Sequence, residues 1–364
     1  MENNPLVTIF FLAYNCEKYL EKSIKPIIDQ TYPNIQIIIS NNQSTDNTEA
    51  VIKKIQSENP KIIYRKNVLD IKADNLYDAC DNNVSGSKNI KRYDVCFNHC
   101  NGCLKSGLAK GEFIIFCHQD DIYHRDIVEK EVEFFKKNPN AMGVFSLGKI
   151  IDKNDRIIGE HKLPKELQGK NIYNFSEVFK SILNNGNLFL ITPTFMARKE
   201  VFEKVGLFDD QGPFGGSDDL EMWLKILEKY PMGILQENLI DWRTDGRAKK
   251  YNQLRTEKAD FFKVMDYYLI DKGFIKLADK KNLRQYAYQK NFDDTLRAMN
   301  FLIKGNVKEA KKIINSSFSW SFFRALLENI TLLRTKLLIL KIILFVGINL
   351  GFGKYLGRML YKII

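Results

Sequence analysis

An α/β fold, with a mostly parallel central sheet covered by helices on both faces and a helical extension at the C-terminus, is predicted by three features of this chain of 364 residues. Short apolar runs without alternation recur through the first half, segments with apolar residues at helical spacing separate them, and from about residue 254 the pattern is almost wholly helical. Apolar strands divided by crossover helices imply a parallel sheet buried on both faces. Such sheets hold ligands beyond the carboxyl ends of their strands.

The elements follow in order. "LVTIFFLAYN" (6–15) reads as a first strand, and "CEKYLEKSIKPIIDQT" (16–31) carries Tyr19, Leu20, Ile24, Ile27 and Ile28 at helical spacing. "IQIIISNNQSTDNT" (35–48) repeats the scheme, with Ser44 or Asp46 as a helix cap before "EAVIKKIQSE". "KIIYRKN" (61–67) is a third strand; residues 68–94 are polar and aperiodic, a long loop for such a unit. A helix over about 95–108 and the strand "GEFIIFCHQ" follow. The helix "DIVEKEVEFFKKNP" then leads to a second strand set, "AMGVFSLGKIIDKNDRIIGE", turning at 153–155. "FSEVFKSILNNG" reads as helix, "LFLITPTFMARK" as strand, and "EVFEKVG" and "SDDLEMWLKILEKY" as helices. The strand ends "AYN", "SNNQS" and "CHQDD" all fall at the ligand edge.

Composition narrows the class. With 45% hydrophobic and 27% charged residues the chain is globular, and its formal charge is +11. From Arg324 onward seven cations face one acid, Glu328, so six of the eleven excess charges lie in the last stretch. No zinc-finger or RNA-binding signature accompanies them, so no nucleic-acid partner is expected. "MENNPLVTIFF" lacks a basic n-region and a small-residue cleavage site, and the six cysteines are clustered; a reducing cytoplasm without disulfides is expected.

The chemistry-bearing residues gather at the strand ends. If "FIIFCHQDD" stays extended, His118 and Asp120 face one way and Gln119 and Asp121 the other. No G-x-G-x-x-G follows the first strand and no P-loop motif occurs, so a bound nucleotide diphosphate would need a metal for charge neutralisation. Mn²⁺ or Mg²⁺ takes few protein ligands and shares the rest with phosphate and water, which Asp120 with His118 would satisfy. The alternative for the acid pair is a helix cap. In "CFNHCNGC", Cys96, His99, Cys100 and Cys103 share one helical face; one face cannot wrap a tetrahedral zinc, so core packing is expected.

Taken together, "VTIFFLAYN", "IQIIISNNQSTDNT", "AKGEFIIFCHQDDIY", "FEKVGLFDD" and "SDDLEMWLKI" resemble, in order and spacing, family 2 glycosyltransferases of the GT-A fold, over roughly residues 5–245. The resemblance implies the nucleotide-diphospho-sugar transferase fold. It divides the matched part into a nucleotide-sugar-binding half (1–125) and an acceptor-binding half of the same domain (126–250); beyond it the residues themselves give a helical extension (251–320) and a basic amphipathic, membrane-associating tail (321–364). His118-Gln119-Asp120 matches the metal-holding acidic motif, with His118 where the family usually has its first acid and Asp121 adjacent. Tyr14 and Asn15 match the nucleotide pocket at the end of strand one, with Leu12 and Ala13 lining it where the family usually has Pro-Thr. Asn41-Asn42 replaces an acidic pair; an amide still donates to and accepts from a base. Asp219, four residues before Trp223 and preceded by Asp218, matches the catalytic base, with Asp218 and Trp223 toward the acceptor. A sugar hydroxyl needs a carboxylate to take its proton as it attacks, and attack opposite the leaving diphosphate inverts the anomeric centre. "LIDWRTDGRAKKYNQLR" matches a loop closing over the diphosphate, where Arg243, Arg247 and Lys249 would meet phosphate charge.

The tail "LLRTKLLILKIILFVGINLGFGKYLGRMLYKII" is apolar but interrupted by Lys341 and short of a span. Cations scattered among Leu, Ile and Phe fit a helix in the interface of an anionic membrane surface, and docking on the protein itself is the alternative. The expected setting is the inner face of a bacterial cytoplasmic membrane, with a nucleotide-diphosphate sugar donor and a lipid-linked glycan acceptor in surface polysaccharide assembly. An inactive nucleotide- or glycan-binding protein of the same fold is the alternative.

Overall fold

The computed structural model describes residues 4–67, 92–209, 212–244, 255–318, 320–328 and 330–363. The chain divides into two compact units, Met1–Val178 with Asn187–Thr244, and Phe179–Gly186 with Asp245–Ile364.

The first unit is built on one sheet whose strands run β3-β2-β1-β4-β9-β6-β10-β5, the last being the short strand Ile122–Tyr123. Four neighbours, β1 (Val7–Ala13), β2 (Ile35–Asn41), β3 (Ile63–Lys66) and β4 (Phe113–His118), are parallel. Every residue of β1 is buried, which is why its sequence shows no alternation. One face packs Val7, Ile9 and Phe11 against Leu20 and Ile24 of the helix Leu20–Ile28 and Val128 and Phe135 of the helix Ile127–Lys137. On the other face Phe10 stacks on Phe116, and Phe116 meets Phe202 and Phe208 edge-on. Each such buried ring contributes on the order of 2 kcal/mol through area alone. Helices thus cover both faces, as the apolar runs predict.

The second half completes the same sheet: β9 (Met196–Arg198) joins β4 to β6 (Gly143–Ile151) antiparallel, and β10 (Met232–Arg243) runs parallel to β6. The run 188–199 therefore yields only three strand residues, because Pro193 stands in a single 3-10 turn, Thr192–Thr194. The segment 239–243 is the end of a strand and not a loop, and β10 is hidden in the sequence by a bulge around Asn238 that leaves Gln236 and Glu237 exposed. Arg247, Lys249 and the polar stretch from 68 to 91 lie outside the described residues.

The second unit is helical. Its long helix Lys280–Ile303 opens with a capping box between Asp279 and Asn282. The helices Val307–Ser316, Leu332–Asn349 and Gly353–Ile363 close a core of Ala298, Leu302, Ala310, Ile314, Leu344 and Ile348. Gly357 permits that closeness, since a Cβ there would stand 2.2 Å from the Leu302 carbonyl oxygen. Lys341 corrects the reading of the tail as evenly amphipathic. Its side chain is fully buried, Nζ donates to Asn291 Oδ1 and the Ser317 carbonyl at 2.6 Å each, and it lies 4.1 Å from the Phe322 ring centroid. Burial brings its pKa down to about 8.

Candidate active site

The carboxyl ends of the parallel strands meet in register, with Ala13 beside Asn41, Asn41 beside Lys66 and Leu12 beside His118. The loops that leave them are cross-tied. Asn15, in the left-handed region at φ +43°, donates its N–H to Ser44 Oγ at 3.0 Å and accepts from Thr45 N–H at 2.8 Å. Ser44 in turn donates to Asn41 Oδ1 through N–H and Oγ, while Asp46 accepts from Thr48 N–H at 3.0 Å; the N-cap of the helix Thr48–Glu58 is Asn47, not the expected Ser44 or Asp46. Asn42 is buried, and its Oδ1 accepts from Asn67 Nδ2 at 2.8 Å; Asn67 also binds Arg65, whose Nη1 reaches Ser40 Oγ. The sequence gives "YRKN" as strand only, so Arg65 and Asn67 go unnoticed there as polar partners of the pocket.

The acidic turn departs from a continued strand. β4 stops at His118 and Gln119–Asp120 form a turn, so the alternation does not extend to the carboxylates. Gln119 folds back instead: its Nε2 donates to the Tyr14 carbonyl at 2.7 Å and its Oε1 accepts from the Tyr14 N–H. That two-point clamp uses the whole amide and joins the end of β1 to the acidic turn. Asp121 points inward at 1% exposure, its Oδ1 accepting from the Arg243 backbone N–H at 2.8 Å. Burial, then the neighbouring Asp120 charge, pushes its carboxyl well above the usual range. It is not the helix cap either, because Asp126 occupies that position.

Asp219 stands in the first turn of the helix Asp218–Leu227, where acids complement the helix dipole, and Gly215 at φ +58° turns the chain into it. Thr192 Oγ1 donates to Asp219 Oδ2 at 2.7 Å. Burial raises the Asp219 pKa and this hydrogen bond opposes the rise. The sequence marks Thr192 only as a polar residue before a proline. Two hydrogen bonds connect the end of β4 to the residue after Thr192: the His118 N–H donates to Tyr123 Oη at 2.8 Å, and Tyr123 Oη donates to the Pro193 carbonyl at 3.2 Å.

Other expected site residues have buried side chains. Leu12 and Ala13 are buried side chains, so only their backbone faces the pocket edge. Trp223, expected toward the acceptor, is 2% exposed and packs 3.9 Å from the Phe195 ring centroid; Asp218 is buried beside it in sequence. Arg243 is likewise buried and spends its guanidinium on protein oxygens. Of the cysteine cluster, Cys100 and Cys103 are buried, Arg65 Nη1 donates to Cys103 Sγ at 3.8 Å, and His99 Nε2 meets Ser40 Oγ at 2.8 Å. Burial lowers the His99 pKa to about 3, so it is a neutral core residue. The Cys96 side chain lies outside the described residues.

Among the described residues no group of three or more His, Cys, Asp and Glu side chains converges to hold a metal. A hard cation bound through a diphosphate needs fewer: the Asp120 carboxylate, with an imidazole at His118 that burial keeps below the usual histidine pKa and therefore neutral, is a chemically suitable pair.

The family described as Glycosyl transferase family 2 matches residues 8–80 and 107–206. An uncharacterised glycosyltransferase of Haemophilus influenzae is 25% identical over 311 residues, 82% of this chain and 85% of that protein. The UDP-Glc:alpha-D-GlcNAc-diphosphoundecaprenol beta-1,3-glucosyltransferase WfaP of Escherichia coli is 26% identical over 224 residues, 62% of this chain and 71% of that one. Residues 1–349 of S. aureus TarS, solved in complex with UDP, share the fold at a TM-score of 0.50 and 13% identity, over 95% of this chain and 91% of that one. The chain belongs to glycosyltransferase family 2 and is a glycosyltransferase of the GT-A fold.

Proposed function

We propose that this protein is an inverting, metal-dependent transferase that moves a sugar from a nucleotide-diphosphate donor to a hydroxyl of a lipid-linked glycan at the membrane surface, in bacterial surface polysaccharide assembly. The observation that carries the reading is the Asp219 carboxylate, held on a helix start by Thr192, whose neighbour Pro193 is tied through Tyr123 to His118 at the end of β4. In this reading Asp219 accepts the proton of the acceptor hydroxyl as its oxygen bonds to the anomeric carbon, and the bond to the nucleoside diphosphate breaks on the opposite face. Mn²⁺ or Mg²⁺, when bound by Asp120 with His118, supplies charge neutralisation for the diphosphate. Tyr14, Asn15, Asn42 and Gln119 shape the donor pocket, Gln119 and Asn15 by fixing its loops. The relative named for a diphosphoundecaprenol acceptor supports the lipid-linked class.

A panel of nucleotide sugars tests the reading. Slow hydrolysis of one donor, dependent on Mn²⁺ and abolished by chelation, is expected; metal-independent hydrolysis, or none across the panel, counts against it.

Surface chemistry of the helical unit supports the membrane part. Among the described residues no helix is long and apolar enough to cross a membrane. Yet Ile339, Ile342, Ile343, Phe345, Val346, Leu350 and Phe352 are exposed, and an open apolar groove of about 470 Å³ lies between the helices Leu332–Asn349 and Gly353–Ile363. Lys336, Lys354 and Arg358 are exposed in the same stretch, which carries no acid after Glu328. Anionic headgroups attract such cations at about 1 kcal/mol each. Cosedimentation with phosphatidylglycerol vesicles is expected, with clear loss on replacing Lys336, Lys354 and Arg358 by Glu; equal sedimentation of that variant would refute the interfacial reading.

A further inference from the structure

Arg243 ends β10 at a point where four segments of the first unit meet. Its backbone N–H donates to Asp121 Oδ1 at 2.8 Å and its Nε to the Asp120 carbonyl oxygen at 2.7 Å. On the other side Nη1 donates to the Asp152 carbonyl at 2.9 Å and Nη2 pairs with Asp155 Oδ1 at 2.5 Å. The guanidinium carbon lies 4.9 Å from the Tyr19 ring centroid, just before the helix Leu20–Ile28, and Lys22 of that helix pairs with Asp155 as well. The arginine is only 5% exposed.

The far end of this web is itself built. Asp152 and Asp155 form the tip of the hairpin between β6 and β7 (Ile157–Glu160), where Asp152 Oδ1 accepts from the N–H groups of Asn154 and Arg156. Asp155 takes the left-handed backbone at φ +65°, a strain for a residue with a side chain. Ion pairing with Lys22 and Arg243 compensates that strain, and the same pairs lower the Asp155 pKa, Lys22 first. Only a planar fork with donors in fixed directions spans the Asp120 carbonyl and the hairpin tip together; a lysine reaches one of them.

We propose that Arg243 is the positioning residue of the acidic turn, a latch that holds the Asp120–Asp121 backbone against the hairpin tip and so sets the direction of the Asp120 carboxylate, without itself meeting the donor's phosphates. The inference rests on the reading of Asp120 as the metal-side acid. A residue that orients a metal ligand through its backbone acts on metal affinity about 10- to 100-fold when removed. A phosphate-contacting cation acts by charge, which lysine keeps. The two roles therefore separate on the conservative variant.

The test titrates Mn²⁺ into the full chain in the presence of UDP and, separately, GDP, following loss of the free-ion EPR signal, with thermal unfolding in parallel. Arg243→Lys and Arg243→Met are expected to weaken Mn²⁺ binding alike, by about 10- to 100-fold. Asp155→Asn, which removes one arm and leaves the Asp120 contact, is expected to give a smaller loss, and it keeps the test usable should the arginine variants fail to fold. Wild-type binding retained by Arg243→Lys but lost by Arg243→Met would overturn positioning in favour of a charge contact, and unchanged binding in all three would overturn both. Absence of Mn²⁺ binding in the wild type with either nucleotide would overturn the metal reading of Asp120 instead, and the latch with it.

Discussion

Asp219→Asn is expected to leave donor binding unchanged and to lower sugar transfer by about 10²- to 10⁴-fold, the usual contribution of a positioned general base. The amide preserves shape, its oxygen accepting from the Leu220 N–H and its NH₂ donating to the Thr192 hydroxyl, so the helix start Asp218–Leu227 keeps its geometry while the proton acceptor is gone. The pH profile carries the second half of this prediction. A base works ionised, and burial raises the pKa of Asp219, so transfer falls as the pH drops through a value above the ordinary aspartate range. Thr192→Val removes a hydrogen bond to the ionised form and moves that acid limb to still higher pH; Thr192→Ser restores it. Near-normal turnover in Asp219→Asn would remove the base assignment.

Asp120→Ala is expected to lower kcat/KM by on the order of a hundredfold or more and to raise the Mn²⁺ concentration needed for half activity. Neutralising a transferring diphosphate supplies several kcal/mol, and each 1.36 kcal/mol is tenfold in rate. The backbone carbonyl that accepts from Arg243 Nε survives the substitution, so the turn keeps its course and the loss reports the carboxylate itself. His118→Asn separates its own role: a ligand substitution raises the metal requirement, whereas a lining residue leaves it where it was. An Asp120→Ala enzyme with wild-type metal dependence would exclude the acid from the donor site.

The strands β1 and β4 are legible because burial on both faces demands long apolar runs, "LVTIFFLA", broken only by Thr8, and "EFIIF". The same logic finds the ligand edge, since polar residues follow each run where the chain leaves the sheet. It fails at β10, where the bulge around Asn238 puts exposed Gln236 and Glu237 inside a strand and breaks the apolar run. It fails again at 188–199, where Pro193 leaves three strand residues of twelve and creates the turn that carries Thr192.

The sequence by itself determined the layered α/β unit, the converging strand ends, and the residue types capable of metal and base chemistry, because these depend on local period and on the few side chains that ionise. Tertiary structure decided which of those side chains are available. Asp121 is turned inward by the backbone of a residue 122 positions away, and Gln119 is occupied by Tyr14 across 105 positions. Lys341, a surface cation by its pattern, is inside because Asn291 and the Ser317 carbonyl accept its protons there. A hydrogen-bond partner fixed by long-range packing leaves no trace in local periodicity, yet it sets whether a charged or amide group faces a ligand or the core.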